Sequence, residues 1–244
     1  MLSSVAQLAL APVLLAQGLH LRRVAMRLPE AEGERAGQYA ATDPAPPLGL
    51  LVAGDSSAAG VGAATQDQAL VGRLVEALSS RSGRSVRWRV IARTGDTALD
   101  LLAHLREADA EPFELAALSI GVNDVTGGNR IKLWLQTLGE ISDLLQLRFA
   151  VRRVVFSGLP PVRDFPMLPQ PLRWALGTRA LEFDAALHAW APTHAHTASV
   201  PVNLQAKPAD MAVDGFHPGP RIYERWAQAL APTLLNPEHI TIPR

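Results

Sequence analysis

Four short stretches of this chain carry residue types that can act together on a carbonyl group. Gly54-Asp55-Ser56-Ser57 offers a hydroxyl, and Arg93-Thr94-Gly95-Asp96 offers a chain amide at a glycine. Gly121-Val122-Asn123-Asp124 adds a side-chain amide, and Asp214-Gly215-Phe216-His217-Pro218 places an imidazole three residues after a carboxylate. A serine hydroxyl is a weak nucleophile until a neighbouring base takes its proton, and His217 is the candidate base for Ser56. Asp214 can curl back across one turn and accept a hydrogen bond from the His217 ring, fixing its tautomer and favouring the imidazolium. The anion that develops on an attacked carbonyl needs donors aimed at it beforehand. The Ser56 N–H, the Gly95 N–H and the Asn123 amide make three, and losing one such donor typically costs roughly 10² to 10³ in rate. Glycine at 95 leaves room for the chain amide to approach substrate where a side chain would crowd it.

Each of these residues also has a plainer reading. Ser56 could cap the next helix, as serine often does after a strand, and Asn123 could do the same for its own segment. Ser57 is the rival hydroxyl, read here as a packing or capping residue. Asp55 and Asp124 read as structural carboxylates that steady their loops. Asp96 and Asp100, four apart, read as acids that cap and charge the start of a helix. His194-Ala195-His196 could chelate a cation given a third ligand, but with no cysteine and no matching pair it reads as a solvated loop, and no metal site is expected. His20, His104, His188 and His239 stand isolated. There is no Gly-x-x-x-x-Gly-Lys-Ser/Thr phosphate loop, and Gly54, Gly60 and Gly62 lack the spacing of a dinucleotide fingerprint. The chemistry therefore calls for no metal or organic cofactor.

The positioning elements follow from periodicity. Near-continuous apolar runs at Leu48–Ala53, Val86–Ala92, Leu115–Ile120, Val151–Phe156 and Ala198–Leu204 have the pattern of parallel strands covered on both faces. Helical spacing recurs between them at Gln68–Leu78, Ala98–Leu105, Ile131–Leu147, Leu172–Trp190 and Tyr223–Leu230. Five such alternations imply a three-layer α/β/α domain with a five-stranded parallel, flavodoxin-like sheet. In such a sheet ligands bind outside the carboxyl ends of the strands, which is where all four stretches fall. The Pro-rich segment from Leu159 to Pro171 reads as an irregular loop on the same rim, with Phe165, Met167 and Leu168 as an apolar wall. Ala58, Ala59, Gly60, Gly62, Ala63 and Ala64 suggest an open trough beside Ser56.

At 244 residues the chain can bury a sizeable core, and 48% apolar with 19% charged residues is ordinary globular composition. Lys plus Arg and Asp plus Glu number 23 each, so no basic excess points to nucleic acid. The absence of cysteine rules out disulfides, thiolate metal sites and a Cys nucleophile. Residues 1–27 form an N-terminal apolar and basic helix, in which Val5–Leu19 lacks a preceding positive charge and a small-x-small cleavage site. A cytoplasmic enzyme is expected. Arg22, Arg23 and Arg27 leave peripheral contact with an anionic lipid surface open beside simple docking on the enzyme. Residues 28–47 read as a linker or wrapping arm, and residues 48–244 as the catalytic domain.

Taken together, Gly54-Asp55-Ser56, the Gly95 block, Gly121-Val122-Asn123-Asp124 and Asp214-Gly215-Phe216-His217 resemble the SGNH, or GDSL-type, hydrolase family of esterases, lipases, lysophospholipases and thioesterases. The resemblance spans Leu48 to Leu235 and meets the four blocks in order. It implies Ser56 as nucleophile, Asp214 and His217 as its partners, and Ser56, Gly95 and Asn123 as the oxyanion hole. Ser57 stands where the family usually has leucine, and Thr94 where asparagine is commoner before the glycine. The implied function is hydrolysis of a small-molecule or lipid ester or thioester through an acyl-enzyme. The alternatives are an acyltransferase, a carbohydrate O-deacetylase, or a catalytically silent membrane-associated binding module.

Overall fold

The computed structural model describes residues 4–41, 45–202 and 207–236. Among these, strands β1 (Ala36–Tyr39), β2 (Leu48–Gly54), β3 (Val86–Ala92), β4 (Leu115–Ser119), β5 (Arg153–Ser157) and β6 (Thr197–Val200) form one sheet in the order β1-β3-β2-β4-β5-β6. β2 through β6 pair in parallel, whereas β1 pairs antiparallel with β3 at the edge. The five parallel strands alone have the flavodoxin-like order. The five-stranded expectation is thus corrected by one strand drawn from the arm. All four residues of β1 are exposed, so it is held by main-chain pairing, and its Ala-Gly-Gln-Tyr sequence carries no apolar alternation to betray it. The last strand candidate narrows to Thr197–Val200, and residues 203 and 204 of that candidate lie outside the described residues.

β2 shows why the sheet is central. All seven of its residues are buried. Leu50 and Val52 face helices α2 (Leu70–Ser82) and α7 (Pro220–Leu235), while Leu51 and Ala53 face α3 (Ala98–Glu107) and α5 (Ile131–Phe149). Full burial of each of the leucine and valine side chains contributes about 1.5–3 kcal/mol. Helix α6 (Leu172–Trp190) joins the second layer through Phe183, whose ring centroid lies 4.9 Å from that of Trp134 on α5. α7 starts at Pro220, three residues before the expected Tyr223, because a proline at the first helical position has the right φ and no N–H to leave unpaired. A six-residue helix α4 (Val122–Gly127) follows β4 directly. It is too short to produce a periodic signal.

The first helix, α1 (Ser4–Val24), lies against α6. Gln17 fixes it there by donating from Nε2 to the Gln170 carbonyl (2.8 Å) and accepting at Oε1 from the Leu172 N–H (3.1 Å). Among the described residues no helix is long and apolar enough to cross a membrane.

The chain leaves β2 for β3 on one side and returns to β4 on the other, which places the loop after β2 at the crevice between β2 and β4. α7 anchors that loop from behind: the buried Tyr223 hydroxyl donates to the Val61 carbonyl at 2.6 Å. Tyr223→Phe should destabilise the protein by about 1–3 kcal/mol, because a carbonyl loses its donor in a water-poor place. Urea unfolding with an unchanged midpoint would contradict this anchoring.

Candidate active site

Ser56 is presented by a tight loop. β2 ends at Gly54, the Asp55 N–H donates to the Ser119 carbonyl on β4 (3.0 Å), and the chain folds back so that Val61 N–H donates to the Ser56 carbonyl (2.9 Å). His217 arrives on the segment 210–219, which closes on itself through Ala212 N–H to His217 carbonyl (2.9 Å) and Gly219 N–H to Asp210 carbonyl (3.0 Å). The two loops meet. His217 Nε2 lies 3.0 Å from Ser56 Oγ, and His217 Nδ1 lies 2.6 Å from Asp214 Oδ2. Asp214 Oδ1 also accepts the Phe216 and His217 N–H groups, each at 3.0 Å. Burial pushes the Asp214 carboxyl up, but the hydrogen bonds from His217 and these two N–H groups outweigh it and hold the group below its ordinary value. An ionised Asp214 on Nδ1 leaves Nε2 as the acceptor facing the serine.

Ser56 is 8% exposed and opens, with Asn123 and His217, onto a cavity of about 350 Å³. The cavity passes over the carboxyl ends of β5 and β6 toward α6 and is walled by Leu159, Phe165, Leu181, Val202, Phe216 and Trp226. Phe165 and Phe216 meet edge to face at 5.0 Å between centroids. Of the expected apolar wall, Phe165 lines the cavity, whereas Met167 and Leu168 do not. Leu159, Leu181, Val202 and Trp226 are the residues that sequence reading misses here, since each sits in a helix, strand end or loop whose own pattern is satisfied by the core.

The three expected oxyanion donors are arranged unequally. Asn123 spends one amide hydrogen on the Asp96 carbonyl (2.9 Å), which orients the group and leaves the second free. Among the described residues no acceptor takes the Ser56 or the Gly95 N–H. Gly95 lies outside the cavity lining, is exposed, and has φ +94° with no protein atom within 4 Å of where a Cβ would stand. Backbone conformation is therefore the need for glycine that the fold itself displays at 95.

The expected trough does not exist. Ala58, Ala59 and Ala63 are buried, and none of residues 58–64 lines the cavity. Their smallness serves chain packing: a Cβ on Gly60 would lie 2.7 Å from that of Ala31 in the arm, and one on Gly62 would lie 2.2 Å from the Pro218 carbonyl.

The carboxylates around the site divide by role. Asp124 accepts the Ala98 N–H (3.0 Å) and the Asn129 amide (2.9 Å). Asp100 forms the capping box of α3 with Thr97, as an acid at that helix start should. Asp96 instead takes His104 Nδ1 at 2.8 Å, so His104 is not isolated. Nor is His188, whose Nδ1 bonds the Ser199 hydroxyl at 2.7 Å, while His239 lies outside the described residues. His194 packs on Trp190 with ring centroids 4.2 Å apart. Among the described residues no group of three or more His, Asp or Glu is placed to hold a metal ion.

Asp55 is the outlier. Burial raises its carboxyl from 3.8 to about 7, opposed by the Ser57 N–H at 3.1 Å and reinforced by Asp124 and Asp96. The folded chain thus keeps a proton that the unfolded chain releases between pH 3.8 and about 7, so this group's stabilisation is full below that window and is lost as pH rises through it. Asp55→Asn has no such proton to lose. Its stability relative to the parent should rise by a few kcal/mol from about pH 4 to about pH 8, since each tenfold difference in proton affinity between the folded and unfolded chain is worth about 1.4 kcal/mol. Urea unfolding at both pH values with the same difference between variant and parent would contradict this.

A GDSL-like esterase of Mycobacterium tuberculosis is 30% identical over 200 residues, covering 76% of this chain and 60% of that protein, so this chain spans about 60% of its relative's length. The fold resembles that of a GDSL-like lipase from Bacteroides thetaiotaomicron (TM-score 0.56, 16% identity, 76% of this chain and 87% of that one). It also resembles a carbohydrate acetylesterase from Sinorhizobium meliloti (TM-score 0.58, 15% identity, 76% and 97%). Residues 52–225, a range that contains all four stretches, match the GDSL-like Lipase/Acylhydrolase family, and the chain belongs to it.

Proposed function

We propose that this chain is a serine esterase that cleaves carboxylic esters or thioesters through an acyl-enzyme on Ser56. The observation that carries the reading is the continuous line from Asp214 Oδ2 through the His217 ring to Ser56 Oγ, at 2.6 and 3.0 Å, opening onto a mainly apolar cavity. His217 Nε2 takes the hydroxyl proton as Oγ bonds to the substrate carbonyl carbon, and Asp214 stabilises the imidazolium that results. The Ser56 and Gly95 N–H groups and the Asn123 amide receive the oxyanion. Collapse breaks the bond to the alcohol or thiol, which leaves with the proton from His217. Water then gives a proton to the same nitrogen, attacks the acyl carbon, and releases the acid as Ser56 recovers its hydrogen.

The cavity supports an apolar acyl group as the bound portion, because Leu159, Phe165, Leu181, Val202 and Trp226 offer contact area and few polar partners. Deacetylation of a carbohydrate, the activity named for the Sinorhizobium relative, is the second reading. A short-acyl preference would favour it. Ser56→Ala and His217→Ala should each lower kcat for p-nitrophenyl butyrate by at least ~10³ with the fold retained. Turnover at the parental rate in either variant would end the proposal.

We also propose peripheral contact with an anionic lipid surface. α1 presents Val13, Leu15, Leu19 and Val24 to solvent, and residues 1–29 hold three arginines and no acid. Apolar contact plus cationic attraction is the combination that holds a helix in the headgroup layer. The protein should sediment with vesicles containing phosphatidylglycerol and not with pure phosphatidylcholine, and Leu15→Glu with Leu19→Glu should release it. Equal recovery in the supernatant with both vesicles would contradict membrane contact.

A further inference from the structure

We infer that Glu30, which lies outside the family-matched residues 52–225, is a positioning residue for the oxyanion side of the site. The inference rests on Ser56 being the nucleophile. Glu30 Oε1 accepts both the Thr94 N–H (2.8 Å) and the Thr94 hydroxyl (2.9 Å), which fixes the residue immediately before Gly95. Two donors on one carboxylate oxygen make a charge-assisted pair, stronger than neutral bonds of the same length. Glu30 Oε2 accepts Arg35 Nη1 at 3.1 Å, and Arg35 Nη2 donates to the Ala92 carbonyl at 3.0 Å, so both ends of the turn's entry are tied to the arm.

The turn so held has two consequences for the reacting centre. It carries the unpaired Gly95 N–H, and through the Asp96 carbonyl it orients the Asn123 amide at 2.9 Å. From the other side His104 grips the Asp96 carboxylate (2.8 Å) and faces Arg93 Nη1 at 3.0 Å, so the turn is braced by α3 and by the arm together.

Glu30 is a fixed strut because its neighbours are bolted to the loop that carries Ser56. Ala31 N–H donates to the Ala59 carbonyl (3.3 Å), Glu32 N–H to the Ala64 carbonyl (3.0 Å), and Gln66 N–H to the Glu32 carbonyl (2.8 Å). The Gln66 side-chain amide closes the joint by donating to both the Ala31 (3.1 Å) and Ala59 (3.3 Å) carbonyls. Residues 30–35 therefore couple the nucleophile loop to the oxyanion turn, two parts that the sheet alone holds on neighbouring strands. The donors must be aimed before charge develops, which is what such a brace provides.

The test uses the full chain, p-nitrophenyl butyrate and four variants. Glu30→Ala should lower kcat about tenfold, a fraction of the loss expected when a donor is removed outright, with KM held within about twofold. Glu30→Gln, whose amide oxygen still accepts both Thr94 donors, should restore most of the rate. A kcat for Glu30→Ala equal to the parent's would overturn the inference, as would a loss that appears only in KM or that Glu30→Gln fails to rescue. If Glu30→Ala does not fold, Glu30→Asp decides: its carboxylate is withdrawn by one methylene, so a reduced kcat at unchanged KM supports the brace and a parental kcat overturns it. Ser56→Ala separates the two readings. If it still turns over, the proposed nucleophile has failed; if it is dead while Glu30→Ala is fully active, only the brace has.

Discussion

A hydrogen bond between side chains 161 residues apart governs this molecule: Ser56 Oγ to His217 Nε2, at 3.0 Å. Neither partner has slack. Ser56 sits on a loop pinned to β4 through Asp55 and to α7 through Tyr223, and His217 on a segment that closes on its own backbone and abuts Gly62. Holding the two groups within hydrogen-bond reach beforehand favours proton transfer, because a side chain that wanders must be gathered again in each cycle. The glycines and alanines beside Ser56 make this close packing possible. They let three backbone segments approach one another, and the space they leave is taken by the arm and the 210–219 segment.

This close packing explains which parts of the fold can be read in advance. β2 is apolar at nearly every position because both its faces are covered, and α5 repeats its leucines at helical spacing because one face is. Such elements announce themselves through side chains. β1 does not, since its four exposed residues contribute main-chain hydrogen bonds that any sequence can make. The same limit conceals the arm's reach: Glu30 is one acid in a stretch without periodicity, and its pairing with Thr94 exists only once two distant segments are adjacent.

The site is legible where chemistry constrains residue type. Ser56, Asn123, Asp214 and His217 stand out by hydroxyl, amide, carboxylate and imidazole at strand ends, and the structure brings all four to one rim. Gly95 lies on the neighbouring turn, where its positive φ is the visible requirement. The small residues after Ser56 mislead because smallness has two causes, space for a ligand and space for the chain, and sequence does not distinguish them. Asp96 and His104 likewise give no sign of each other, since an acid near a helix start has a sufficient local role until the ring eight residues away is seen to meet it.

The chemistry of the site depends on Ser56 being an activated hydroxyl, distinct from its neighbour Ser57 and from every other serine. Treatment with a fluorophosphonate followed by peptide mapping reads this directly, because phosphonylation requires both a deprotonating partner and donors for the developing anion. A single adduct on Ser56 is the predicted result. An adduct on Ser57 or on another serine, or a folded protein that takes up no label, would contradict it.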